Sequence, residues 1–335
     1  MNLQREFLEF HDNIKLDDEN DTLREKRDIL LNKLSKNISD DAANYTHFNQ
    51  GSYAMGTGVK PEAGDYDIDV GLKFQISKND YPDPVEVKEW VRDALEGHTK
   101  SVVIRRSCVT VTYQENGEDA FHVDFALYAS NNPDGKMYLA KGKENSVQSN
   151  RFWEVSHPQE LISKIKEKFS DGKDAAQFRR CIRYLKWWKN HNFLSEGNSA
   201  PTGISLTILA YKYFAVKKNV DYITNTSEYD DFAALKALVR AIKGAFKLTY
   251  DSESGDYLHS IELNLIVEPW NNLFEKMTAK QMDDFYTKIA SMDTILEEAS
   301  REEKRNKACE KIQRIFGDDF PIKYDRSIVG TSESA

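Results

Sequence analysis

The chain has 335 residues, 40% of them hydrophobic and 11% aromatic, with a formal net charge of −9. That is enough apolar surface for a core larger than one small domain, and it argues against disorder. The acidic balance weighs against wholesale duplex binding, which needs a basic face.

Three cysteines, Cys108, Cys181 and Cys309, stand far apart in the sequence. They suit a reducing compartment and offer no paired Cys/His spacing for zinc. The first residues lack the basic-then-apolar pattern of a signal peptide, and no apolar run nears the ~20 residues of a membrane span. A cytoplasmic protein is expected.

Residues 1–45 read as an N-terminal helical segment, with Leu23, Leu30, Leu34 and Ile38 near helical spacing. From 46 to 150 the pattern turns to α/β. Gly51-Ser52 opens a short helical turn. Glycine allows close backbone approach to a phosphate, and serine there is either an ordinary cap or a phosphate ligand.

A strand at 66–76 follows. Tyr66, Ile68, Val70, Leu72 and Phe74 alternate with Asp67, Asp69, Gly71 and Lys73, so both carboxylates share a face about 6–7 Å apart. Aspartate is depleted in strands and like charges on one face repel, so a cation between them is the favoured reading. Gly71 leaves room for a ligand. Such oxygens can hold two magnesium ions about 3.5–4 Å apart, with manganese as a substitute.

A helix over Val87, Trp90, Val91 and Leu95 comes next, then strands at 101–113 and 121–128 separated by a turn at 116–117. In the second strand Phe121, Val123, Phe125 and Leu127 face a core, leaving Asp124 on the other side as the third carboxylate. His122 shares that face as a supporting or surface residue. Residues 129–150 read as a loop with one short strand.

Beyond 155 the signals are almost wholly helical, near 158–169, 174–191, 203–218, 230–247 and 279–316. On the second of these, Arg179, Arg183 and Lys186 form a basic edge. Lys186 is the candidate triphosphate ligand, and the two arginines read as solvated cations. Ser205, one turn into a buried helix, needs a partner, either its own turn's carbonyl or a phosphate oxygen. Tyr128, Trp153, Tyr184 and Trp187 are candidates to stack on a base, but aromatics at helical spacing are more often core, and none is assigned to the site. The chain is thus read as a helical segment (1–45), a catalytic lobe (46–150), a helical lobe (151–329) and a tail (330–335).

The stretches GSYAMGTG, DYDIDVGL and HVDFAL, followed by LKWW and GISLTILAYKYF, closely resemble the bacterial cGAS/DncV-like nucleotidyltransferases, or CD-NTases, of the polymerase-β-like superfamily. The resemblance implies an α+β, bilobal fold with a mixed sheet and a helical C-terminal lobe, and an active site in the cleft between lobes. It implies metal carboxylates at Asp67, Asp69 and Asp124, and nucleotide contacts at Gly51, Ser52, Lys186 and Ser205. Such enzymes join ATP, GTP or other triphosphates into cyclic di- or trinucleotides that switch on a separate effector in anti-phage CBASS defence.

The alternatives are transfer to another acceptor (a linear oligoadenylate, an RNA end or a protein) and an inactive nucleotide-binding scaffold. The vertebrate sensor's zinc insertion and basic DNA surface have no counterpart here, so DNA activation is unsupported. The small-residue tail at 330–335 is compatible with attachment by ubiquitin-transfer-like conjugation machinery.

Overall fold

A computed structural model describes residues 2–16, 19–61, 66–99, 101–115, 118–193, 199–221, 223–224 and 226–324. The 116–117 turn and the 330–335 tail lie outside these residues. Chain order opens with helices α1 (Gln4–Ile14) and α2 (Glu19–Asn37), strand β1 (Tyr45–Asn49), helix α3 (Gly51–Met55) and strand β2 (Tyr66–Phe74). Next come α4 (Pro84–Leu95), β3 (Ser101–Ile104), β4 (Val109–Glu115), β5 (Glu118–Ala129), β6 (Tyr138–Lys141), β7 (Phe152–Val155) and α5 (Pro158–Lys166). The remainder holds α6 (Gly172–Asn192), α7 (Gly203–Tyr213), the hairpin β8–β9 (Lys218–Asp221, Thr226–Tyr229) and α8 (Asp231–Ala245). The hairpin β10–β11 (Lys247–Asp251, Asp256–Ser260) then leads to α9 (Ala279–Ser300) and α10 (Arg305–Phe316).

The chain forms two compact units. One, Lys15–Ser170 with Asn264–Asn272, carries the mixed sheet in the order β1-β2-β5-β4-β3, extended by β6 on β5 and β7 on β6. The units divide at 14/15 and 170/171, because α5 packs with α3 in the sheet-bearing unit and α1 packs with α6 and α8 in the other. On one face of the sheet Ile68, Val70 and Leu72 of β2 and Val123, Phe125 and Leu127 of β5 are buried. They cluster with Leu23, Leu30 and Leu34 of α2 and Val87, Val91 and Leu95 of α4. Pro84 at the first turn of α4 needs no amide partner, and the Asp83 side chain caps the Val85 N–H at 3.0 Å.

Lys88 of α4 is fully buried, and its ammonium donates to the carbonyls of Arg105, Arg106 and Gly142 at 2.8–3.0 Å. It ties the β3–β4 turn to the strand β6 end. Burial lowers its pKa to about 7.

The second unit, Met1–Ile14 with Asp171–Leu263 and Leu273–Ala335, is mainly helical. Its centre is polar as well as aromatic. Fully buried Asp231 accepts both Arg180 nitrogens, at 2.5 and 2.8 Å, and the Tyr184 hydroxyl at 3.0 Å.

Three expectations fail here. The helix at 279–316 breaks at 301–304, where four charged residues make a turn and α10 packs back on α9. The hairpins β8–β9 and β10–β11 interrupt what read as helix and loop. Arg183 is also not a solvated cation, since it donates to His11 Nε2 at 3.1 Å and burial lowers its pKa to about 10.

The same contact predicts a pH response. Burial, and next the Arg183 charge, lowers His11 from 6.5 to about 4. A histidine depressed in the folded state stabilises above its unfolded pKa, and the benefit drains away as pH falls from about 6.5 to about 4. The upper bound is about 3 kcal/mol. Melting temperatures of the chain and of His11→Gln should therefore lie apart at pH 7 and converge by pH 4; parallel curves would refute the assignment.

Candidate active site

Strands β2 and β5 are neighbours and run parallel, and the register sets Asp69 opposite Asp124 and Asp67 opposite His122. Their core faces are buried, so the alternation forces the three aspartates to the other side. Asp67, Asp69 and Asp124 each present a carboxylate oxygen, all within 4.8 Å of one another. Among the described residues they form the one group of three or more metal-capable side chains that meet this closely. Hard carboxylate oxygens on a shared face fit Mg²⁺, which takes one or two protein carboxylates and completes its shell with water and substrate phosphate.

Gly51 lies beside them. The amide of Gln50 donates to the Asp69 carbonyl at 3.1 Å, pinning the start of α3 to β2. The Gln50 side chain in turn accepts from the Tyr128 hydroxyl at 2.8 Å. Gly51 has φ +66°, and a Cβ built there would overlap Asp69 Oδ2 and lie 2.6 Å from its Cγ. Both the backbone angle and the neighbouring carboxylate demand glycine. Ser52 follows, half-buried in the first turn of α3. Gly71, by contrast, leaves no room for a ligand. The Phe48 ring of β1 covers it, and a Cβ there would overlap the ring. The glycine makes space for a neighbouring strand's aromatic.

Thr110 of β4 is the residue that sequence reasoning missed. Its hydroxyl donates to Asp124 Oδ1 at 2.5 Å, and the register sets the two residues opposite each other. The bond fixes the Asp124 carboxylate through Oδ1. Cys108 adds a weak contact to the Thr110 hydroxyl at 3.5 Å, and burial, then the Asp124 charge, pushes its thiol up to about 12. That thiol stays protonated and inert. His122 is held by Thr112 at 3.1 Å, in keeping with a supporting place.

Thr110→Val keeps the shape and removes the donor. Metal affinity or turnover should fall about 10- to 100-fold, the usual cost of losing a ligand's orienting partner, and Thr110→Ser should restore most of it. Metal titration of the three proteins checks this, and equal affinities would sink the assignment.

Lys186 and Ser205 lie in the helical unit, both buried. The Lys186 ammonium lies about 4 Å from the Cβ position of Gly203, at the start of α7. The Ser205 hydroxyl donates to its own turn's carbonyl, Thr202 O, at 2.8 Å, the first of the two partners expected for it. Of the aromatics, Tyr128, Tyr184 and Trp187 are buried, and Trp153 donates its indole N–H to Tyr81 O at 2.7 Å. Trp153 is partly buried and packs against the core of the sheet-bearing unit. Among the described residues no helix is long and apolar enough to cross a membrane.

Residues 46–128 match the family described as the nucleotidyltransferase domain of DncV-like cyclic GMP-AMP synthases. A cyclic GMP-AMP synthase of Escherichia albertii is 26% identical over 167 residues, 49% of this chain and 36% of that protein. The matched stretch therefore spans little more than a third of that relative.

In fold, the chain is similar to the GTP complex of the Bradyrhizobium diazoefficiens CD-NTase CdnG, with a TM-score of 0.69 at 13% identity, covering 94% and 96% of the two chains. It is also similar to the Vibrio cholerae cyclic AMP-GMP synthase DncV, described as a prokaryotic cGAS homolog (TM-score 0.63, 16% identity, coverage 92% and 93%). The Escherichia coli MS115-1 CdnC structure with ATP gives a TM-score of 0.65 at 18% identity, over 96% and 99%. The aspartate triad and Gly51-Ser52 lie inside the matched domain. Residues 46–128 accordingly match the DncV-like nucleotidyltransferase domain, and the chain shares its fold with these bacterial CD-NTases.

Proposed function

We propose that the protein condenses nucleoside triphosphates, ATP or GTP among them, into a cyclic di- or trinucleotide with release of pyrophosphate. The convergence of Asp67, Asp69 and Asp124 on one sheet face beside Gly51 carries this reading. When bound there, two divalent cations neutralise the donor phosphates and ease ionisation of the acceptor hydroxyl.

The chain's own residues supply the rest. Asp67 and Asp69 would hold the cations. Asp124, steadied through Oδ1 by Thr110, orients the acceptor ribose hydroxyl with its other oxygen. Gly51 lets the backbone approach the phosphates, and Ser52 and Lys186 are assigned to the same group. Attack at the α-phosphorus joins the nucleotides, and a second transfer closes the ring. Positioning and charge neutralisation account for most of the rate. The product then acts at a distance on a separate effector, in anti-phage defence.

Incubation with labelled triphosphates and Mg²⁺, then phosphatase and mass spectrometry, tests the reading. Small, phosphatase-resistant label is expected. Phosphatase-sensitive chains, or label on RNA or protein, would overturn ring closure and point to transfer onto another acceptor. Triphosphate binding without pyrophosphate release would indicate a scaffold.

A further inference from the structure

A cavity of about 1100 Å³ opens within the helical unit, lined by none of the residues assigned to the triad or the triphosphate. Three helices begin at its wall: Arg5 and Glu6 are in the first turn of α1, Lys173 is in that of α6, and Arg305 is the first residue of α10. The Asp171 side chain already caps the Lys173 and Asp174 amides of α6, whereas no side chain caps α10, and an uncapped helix start carries unsatisfied amides and partial positive charge that favour an anion. Arg5, Lys173, Arg180, Arg305 and Lys323 face Glu6 and Glu228 in the lining, an excess of three positive charges in a chain of net −9. Arg180 is bound to Asp231, and Lys323 pairs with Glu9 at 2.7 Å. Arg5 and Lys173 are exposed, and among the described residues neither side chain has an ion-pair partner.

Glu6 supplies a second, independent observation. It lines the cavity yet is only 1% exposed. Its Oε1 accepts from Arg305 at 2.6 Å, while Oε2 is buried with no hydrogen-bond partner among the described residues. A buried acceptor without a donor is costly, more so when charged. An N–H group on whatever fills the cavity would satisfy it after a turn of the Glu6 side chain. At the mouth Tyr324, 72% exposed, offers a ring face. Cations and an uncapped helix start suit a phosphate, an exposed ring suits stacking, and an orphan carboxylate suits an amino group. The volume exceeds what a lone phosphate or amino acid requires.

We propose that this cavity is a second binding site, for a nucleoside phosphate whose base carries an amino group. Arg5, Lys173 and the uncapped start of α10 take the phosphate, Tyr324 stacks the base, and Glu6 Oε2 accepts the amino N–H. The site is separate from the aspartate triad, and its existence does not depend on the reaction assigned there.

Calorimetry on the full chain in EDTA, which removes divalent cations, tests it with three probes: adenosine monophosphate, the purine riboside monophosphate lacking the amino group, and inorganic phosphate. Adenosine monophosphate should bind at sub-millimolar concentration, the amino-less analogue about fivefold more weakly and inorganic phosphate more weakly still. The double variant Arg5→Glu/Lys173→Glu changes exposed rim residues, so it should fold normally by circular dichroism and bind about tenfold more weakly, a change of ~1.4 kcal/mol. Asp67→Asn/Asp69→Asn should bind adenosine monophosphate as the parent does. No binding at about 10 mM, equal binding of the two nucleotides, insensitivity to the rim charges, or loss of binding in the aspartate variant would each overturn the proposal.

Discussion

Asp67→Ala and Asp69→Ala chains are expected to make no phosphatase-resistant product, a loss of roughly three orders of magnitude or more, while melting no lower than the parent in EDTA. The two halves of this result share one cause. Three carboxylates within 4.8 Å repel one another unless a cation lies among them. Removing one relieves that repulsion, and neither position belongs to the buried core. Mg²⁺ should raise the melting temperature of the parent, because a ligand that binds only the folded chain stabilises it by mass action. Either variant should lose most of that rise. Calorimetric scans with and without Mg²⁺, run beside the product assay, read both. Product from both variants, or a parent indifferent to Mg²⁺, would end the assignment of these side chains to metal.

Gly51→Ala should be nearly as damaging to activity, about 100-fold or more, with a modest loss of stability. Two penalties act together at this position. Alanine at φ +66° strains the backbone by about 1 kcal/mol. Its methyl group also needs the space that Asp69 Oδ2 holds, so the carboxylate must swing away from Asp67 and Asp124. Gly135 separates the two effects, for it has φ +70° with nothing within 4 Å of its Cβ position. Gly135→Ala should therefore show the stability loss and keep full turnover. If the two variants were equally active, crowding of Asp69 would not be the reason for glycine.

The site was largely legible in the sequence because its signal is local. Asp67 and Asp69 interrupt an otherwise apolar alternation, and Asp124 interrupts another, so each strand declares its odd residue. That these strands are parallel neighbours with Asp69 opposite Asp124 is a property of the assembled sheet, 55 positions apart in sequence. Thr110 was invisible for the same reason, since a threonine in a strand is ordinary until its partner is known. Gly71 misled because an absent side chain looks alike whether a ligand or Phe48 fills the gap.

The hairpins of the helical unit escaped notice because they have no buried face. Leu248 and Tyr250 alternate as a strand should, yet both are more than half exposed, so apolar periodicity there reports no core. The turn at 301–304 has neither proline nor glycine to mark it, and only the return of α10 onto α9 explains it.

The parallel pairing of β2 with β5 has a consequence for how the protein is lost and recovered. The spacing between Asp69 and Asp124 is set by main-chain bonds of interior strands, which open only when the sheet itself comes apart. Deuterium should enter the amides around 68–72 and 123–127 among the slowest in the chain, faster once chelator removes the stabilisation that bound Mg²⁺ adds, but still last. Stripping the cations should then leave the template standing, ready to be recharged within the mixing time.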